Sequence, residues 1–168
     1  MTSNEATGVD LTFVCSHTVS SRVISWFSAG HLSHVDANLR DGTFLGSYEC
    51  ATGSIPAGVR IRPTGYYPFS RRVTFSIPAT AQQRARWLAF LNAQLNKDYD
   101  WDAIWGFIFN RDWRDPDAWI CSELQAAALE ASGIVPRLYL AANKITPVAL
   151  ALAVSAIPGV VIRDDKPW

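Results

Sequence analysis

The chain has 168 residues, 15 Lys+Arg against 15 Asp+Glu, and a 49% hydrophobic composition. A chain of this length can bury a substantial core without disulfide or metal staples, so one domain over residues 1–168 is expected and disorder is excluded. Zero net charge, with only short basic clusters at Arg60, Arg62 and Arg71-Arg72, argues against a general nucleic-acid or anionic-membrane partner.

In chain order, Leu11 to Cys15 is rich in strand formers, and Ser20 to Phe27 predicts a short helix ending before Gly30. Ser33 to Leu39 reads as a strand, Arg40-Asp41-Gly42-Thr43 is a strong hairpin-turn signal, and Thr43 to Tyr48 is the returning strand. Gly58 to Arg62 and Arg72 to Ile77 are further short strands bounded by Pro or Gly. The period then changes. Thr80 is a good N-cap, and Ala81, Ala85, Leu88 and Leu95 recur at helical spacing, which predicts a helix over 80–95. Trp101, Trp105 and Phe109 fall at i, i+4 and i+8 of another helix. The next runs from about Ile120 to Ala131 and stops at Ser132-Gly133. The last starts at Thr146-Pro147 and ends near Pro158, before a final strand at Gly159 to Arg163. Strands then helices, without βαβ alternation, predict an α+β fold with a small antiparallel sheet packed against helices.

Met1 to Gly8 has neither a basic nor an apolar signal region, and the longest apolar run, Pro147 to Ile162, is interrupted by Pro158 and Gly159. That run is shorter than the ~20 residues a spanning helix needs. A soluble protein, cytoplasmic by default and with free thiols, is expected. Cys15, Cys50 and Cys121 form no CxxC pair, so neither a zinc knuckle nor a dithiol site has support. Cys15 and Cys50 read as ordinary strand residues.

Cys121 opens a predicted helix, where unpaired N–H groups and the macrodipole stabilise a thiolate and sharpen it as a nucleophile. It also shares a face with Leu124, Ala128 and Ala131, so plain core packing stands beside that reading. His34 and Asp36 alternate onto one face of a strand, where the carboxylate would hold one ring nitrogen and turn the other toward a thiol. A half-exposed His beside a solvated Asp fits the same pattern. Glu49 is the other candidate orienter: a two-residue Asp41-Gly42 loop puts it directly opposite His34, whereas a three-residue loop turns it away. His31 and His34 form an HxxH pair with no carboxylate or thiol cluster to complete a metal site, and His17 has no visible partner. Trp101 and Trp105 are most simply a packed helix face. Trp113 and Trp119 lie in or beside the polar segment leading to Cys121, where they would wall a substrate groove or simply pack.

A strand carrying Ser33-His34-Val35, a turn Asp41-Gly42, then Lys97-Asp98-Tyr99-Asp100-Trp101, Cys121-Ser122-Glu123-Leu124 and Ile145-Thr146-Pro147 occur in an order that resembles the circularly permuted papain-like hydrolases. These are the YiiX-like branch of the NlpC superfamily, related to the lecithin:retinol acyltransferase group, with histidine first and cysteine last. The resemblance covers roughly residues 30–150. It implies a barrel-like sheet carrying a general base, His34, against a helix that begins at the nucleophile, Cys121, with Asp36 orienting the imidazole. Tyr99 would border the site or donate to an oxyanion, and Ser122 belongs to the same helix start. Many relatives carry a glutamate or histidine about a dozen residues after the histidine; here that position is Gly46, so Asp36, Glu49 or a backbone carbonyl would substitute.

The resemblance implies a cysteine peptidase or amidase that needs no cofactor or metal. It would cleave a peptidoglycan-type peptide through an acyl-enzyme, as a phage or prophage enzyme reaching the wall without a signal. Lipid amides or esters are the alternative substrate. A non-catalytic papain-like binding or phage structural module is the reading that Gly46 motivates.

Overall fold

A computed structural model describes residues 8–15, 32–66, 68–100, 118–138 and 145–165. The expectations for His17, His31, Trp101, Trp105, Trp113 and the Ser20–Phe27 helix lie outside those residues.

Alternating apolar residues build the sheet. Strands β1 (Val9–Cys15), β2 (His34–Asn38), β3 (Thr43–Tyr48), β4 (Gly58–Pro63), β5 (Arg71–Ile77) and β8 (Val161–Asp164) pair antiparallel in the order β4-β3-β2-β1-β5-β8. The N-terminal strand is thus central, and β4 and β8 form two edges of an open sheet rather than a closed barrel. Leu11 and Phe13 stand level with Ala37 and Val35 on one side and with Phe75 and Val73 on the other, which makes one apolar face. On that face Phe13 and Phe75 pack edge-to-face at 5.0 Å between ring centroids. The edge strand β8 is fastened to β5 by the Arg71–Asp164 ion pair and by the Asp165 carboxylate, which accepts the Arg72 N–H.

Among the described residues three helices complete the core: α1 (Ala81–Ala93), α2 (Cys121–Ser132) and α3 (Pro147–Ser155). Thr80 and Gln83 form a reciprocal capping box at the start of α1, and Trp87 and Leu91 are its fully buried residues. Gly133 adopts φ 71° and closes α2, a left-handed cap that glycine takes without a Cβ penalty. Thr146 caps α3 and Pro147 occupies its first turn. Leu124, Ala128 and Leu129 of α2 join Trp87, Leu91, Leu150 and Val154 over the sheet's apolar face. The arrangement is α+β, as the element order predicts.

Between α1 and α2 the chain adds a short parallel pair that the sequence pattern does not announce: β6 (Asp98–Tyr99) with β7 (Ala118–Trp119). Among the described residues, no helix is long and apolar enough to cross a membrane.

Candidate active site

Alternation along β2 sends Val35 and Ala37 into the apolar core and leaves His34 and Asp36 together on the opposite face. His34 Nε2 lies 3.0 Å from Asp36 Oδ2, and both side chains are buried. The strand spacing that suggested this pair therefore brings it together.

Room for the carboxylate comes from the neighbouring strand. Pairing of Ala37 with Leu45 and of Asn38 with Phe44 makes Gly46 the residue opposite Asp36. A Cβ on Gly46 would overlap Asp36 Oδ1 and stand 3.0 Å from its Cγ. Gly46 is therefore the space into which Asp36 leans.

Tyr66 lies just past β4 and was not singled out from the sequence. Its hydroxyl donates to Asp36 Oδ2 at 3.0 Å and stands 3.1 Å from His34 Nε2. Beneath it Arg62 is almost completely buried, its guanidinium donating to the carbonyls of Pro56 (2.9 Å), Gly58 (3.2 Å) and Gly46 (3.3 Å). The Arg62 cation lies over the rings of Tyr48 and Tyr66, at 5.7 and 5.6 Å. Tyr48 in turn packs edge-on against His34, with ring centroids 5.3 Å apart. Only a tertiary structure joins these residues; the one local signal is the turn-forming Thr64-Gly65 ahead of Tyr66.

Cys121 is the first residue of α2 and is buried. The segment before it is held firmly. The Trp119 carbonyl accepts from Ser47 Oγ at 2.5 Å and from the Asp100 N–H at 3.3 Å. One turn into the helix, Gln125 Nε2 donates to the Leu45 carbonyl at 3.1 Å, which fixes α2 to β3. The N-cap, Ile120, offers no side-chain cap, so the first-turn N–H groups receive no bond from it.

The Cys121 thiol lies within the charge environment of the His34 imidazole. Asp36 and Tyr66 both meet Nε2, so Nδ1 is the ring nitrogen that neither of them occupies. Burial alone would push the His34 imidazole down. The Asp36 carboxylate and the Cys121 charge outweigh it and hold the ring well above the ordinary histidine range. Burial and the same carboxylate push the Tyr66 phenol far up, so it keeps its proton and remains a donor. Burial pulls the Arg62 guanidinium below its usual value, against the charges of Tyr66 and Asp36.

Glu49 is not the residue opposite His34. The hairpin loop has three residues, Arg40-Asp41-Gly42, with φ 66° at Arg40 and 89° at Gly42, and Leu39 N–H bonds Thr43 O. The Asp41 carboxylate accepts the Thr43 N–H and hydroxyl, while Asn38 Oδ1 accepts the Arg40 N–H; these bonds favour the longer loop over a two-residue turn. The register moves by one and puts Tyr48 level with His34, while Glu49 lies in the charge environment of Tyr99 and Cys50. Cys50 itself sits beyond β3, exposed in a bend, rather than in a strand.

Tyr99 is buried beside the site. Burial, then the charge of Cys121, holds its phenol well above the usual range. Trp119 is 8% exposed and packs in the core, its indole N–H donating to Gln94 Oε1 at 3.0 Å. Ser122 is buried in the first turn of α2. Among the described residues, no group of three His, Cys, Asp or Glu side chains is arranged to hold a metal ion.

No family model matches the sequence, and no curated protein matches it. The fold is similar to a solved one, the crystal structure of metalloprotein YiiX from Escherichia coli O157:H7. The TM-score is 0.62 at 16% identity, covering 96% of this chain and 97% of that one. At this identity the likeness concerns the fold.

Proposed function

We propose that the chain is a cysteine hydrolase acting on an amide or ester carbonyl, with a site of the permuted papain-like, NlpC-related kind. The observation that carries the reading is the buried contact of His34 Nε2 with Asp36 at 3.0 Å, with the Cys121 thiol at the head of α2 inside the charge environment of the same imidazole. A thiol at a helix start, a base, and a buried acceptor on the far side of that base are the parts nucleophilic catalysis needs.

Asp36 accepts the Nε2–H, which leaves Nδ1 to take the thiol proton. The resulting thiolate attacks the substrate carbonyl carbon. Negative charge that develops on the carbonyl oxygen meets the backbone N–H of Cys121 at the start of α2. Collapse expels the amine or alcohol, which leaves with the proton from His34, and forms a thioester on Cys121. His34 then takes a proton from water as the water attacks the thioester, and returns it to the sulfur as the acid departs. Tyr99, a protonated phenol within the charge environment of Cys121, borders this sequence of events.

A peptidoglycan-type peptide bond is the substrate that the family resemblance favours, with lipid amides and esters as the alternative. Gly46, which alone would favour a binding module, is the space Asp36 uses, so the missing third residue is no argument against chemistry. Product release from purified muropeptides and from model acyl esters, compared between wild type and Cys121→Ala, tests the reading. Equal rates for the two proteins on every substrate would overturn it.

A further inference from the structure

We propose that Tyr66 is a positioning residue of this site, its hydroxyl holding the Asp36 carboxylate against His34 Nε2. The inference rests on the hydrolase reading and adds a part that the family motifs do not contain.

An aspartate two residues along a strand from its histidine has no built-in reason to lean toward it; both side chains rise from the sheet side by side. Two features aim it. Gly46 opens the space that Oδ1 enters, and the Tyr66 hydroxyl grips Oδ2 at 3.0 Å. The same hydroxyl oxygen stands 3.1 Å from Nε2, so Oη, Nε2 and Oδ2 form a closed triangle. With the hydroxyl hydrogen given to Asp36, the lone pairs of Oη face Nε2 and accept its hydrogen alongside the carboxylate. Both contacts keep the proton on Nε2 and leave Nδ1 bare for the thiol.

Tyr66 is itself held. The Arg62 guanidinium lies over its ring, and Tyr48 and Phe69 pack edge-on against it at 5.2 and 5.4 Å. Among the described residues the charged and titratable groups around the imidazole are Asp36 on its own strand, Cys121 from α2, and Tyr66 beyond β4. Tyr48 of β3 packs on the ring, and Arg62 of β4 stands behind Asp36 and Tyr66.

The test is the pH profile of Cys121 alkylation by iodoacetamide in wild type, Tyr66→Phe and Asp36→Asn, each checked for folding by circular dichroism. Cys15 and Cys50 are replaced by serine throughout, so that one thiol reports. Tyr66→Phe keeps the ring and its stacking but frees the carboxylate. It is expected to lower the alkylation rate at neutral pH by about tenfold, the worth of one hydrogen bond to a charged group. It should also narrow the reactive range in the direction of Asp36→Asn. An unchanged or widened range in Tyr66→Phe, beside an activated wild-type thiol, overturns the role of Tyr66 alone. A wild-type Cys121 that behaves as an ordinary thiol, unreactive below about pH 8.5, overturns the hydrolase reading itself. Should Tyr66→Phe not fold, the wild type still carries the test. In histidine labelled with nitrogen-15, neutral His34 keeps its proton on Nε2, and a proton on Nδ1 would mean that Tyr66 donates to the ring and not to Asp36.

Discussion

Asp36 and Gly46 exclude one another's side chains: the carboxylate of the first occupies the place where the Cβ of the second would stand. The Asp36 carboxylate comes from the strand that carries His34 and leans across the glycine of the neighbouring strand. A side chain at position 46 and the present placement of Asp36 cannot coexist in one sheet.

Gly46→Ala should therefore act on the site through Asp36. The added methyl displaces Oδ1, breaks the contact to His34 Nε2, and costs about 1–3 kcal/mol of stability as overpacking in a buried region. Hydrolysis should fall with it, measured as kcat/KM beside a thermal melt. Asp36→Gly combined with Gly46→Glu should recover part of the activity lost in Asp36→Gly alone; no recovery would show that the two strands cannot exchange this function.

On the hydrolase reading, the His34 proton sets the basic limit of the reactive range. Asp36 raises the proton affinity of the imidazole, so Asp36→Asn should move the basic limb of kcat/KM to lower pH. Glu49→Gln should leave that limb in place, because the register puts Tyr48, not Glu49, level with His34. Pulling the limb down with Glu49→Gln would contradict the assignment of Asp36.

The same proton links stability to pH. Folded His34 holds it more tightly than an unfolded histidine, which titrates near 6.5. Its stabilising contribution is fully present below about pH 6.5 and is lost as pH rises through the folded value. Wild type should lose more melting temperature than Asp36→Asn over that rise. Parallel curves would show that Asp36 does not support the imidazolium.

Ser47→Ala tests how Cys121 is placed. The Ser47 hydroxyl donates to the Trp119 carbonyl, two residues before Cys121. Its loss should cost about 1 kcal/mol and lower kcat more than it raises KM, since the substrate contacts remain while the thiol loses a support. A change confined to KM would place Ser47 on the substrate path instead.

Local chemistry made much of this molecule readable. Thr80, Gly133 and the Thr146-Pro147 pair mark helix ends because capping depends on neighbouring residues alone. Alternation put His34 and Asp36 on one face for the same reason. The hairpin was legible but its loop length was not: Asn38 and Asp41 side chains bond the backbone and draw Arg40 into a left-handed conformation, which selects the three-residue loop. One residue of register then decided which neighbour faced the base. Tyr66 and Arg62 were out of reach of any pattern: Tyr66 meets Asp36 across 30 positions of sequence, through packing that no periodicity records.

The central place of β1 and the sheet order have a consequence for synthesis. His34, Asp36, Gly46, Arg62 and Tyr66 lie on β2, β3, β4 and the turn that follows, strands joined as successive hairpins, so the base and its supports come from one contiguous stretch of chain. Cys121 emerges later, at the head of a helix that must dock across β2 and β3. Contacts between segments close in sequence cost less loop-closure entropy, so the hairpins that carry His34, Asp36 and Tyr66 can pair without α2. On the hydrolase reading, the meeting of thiol and base waits for α2 to dock.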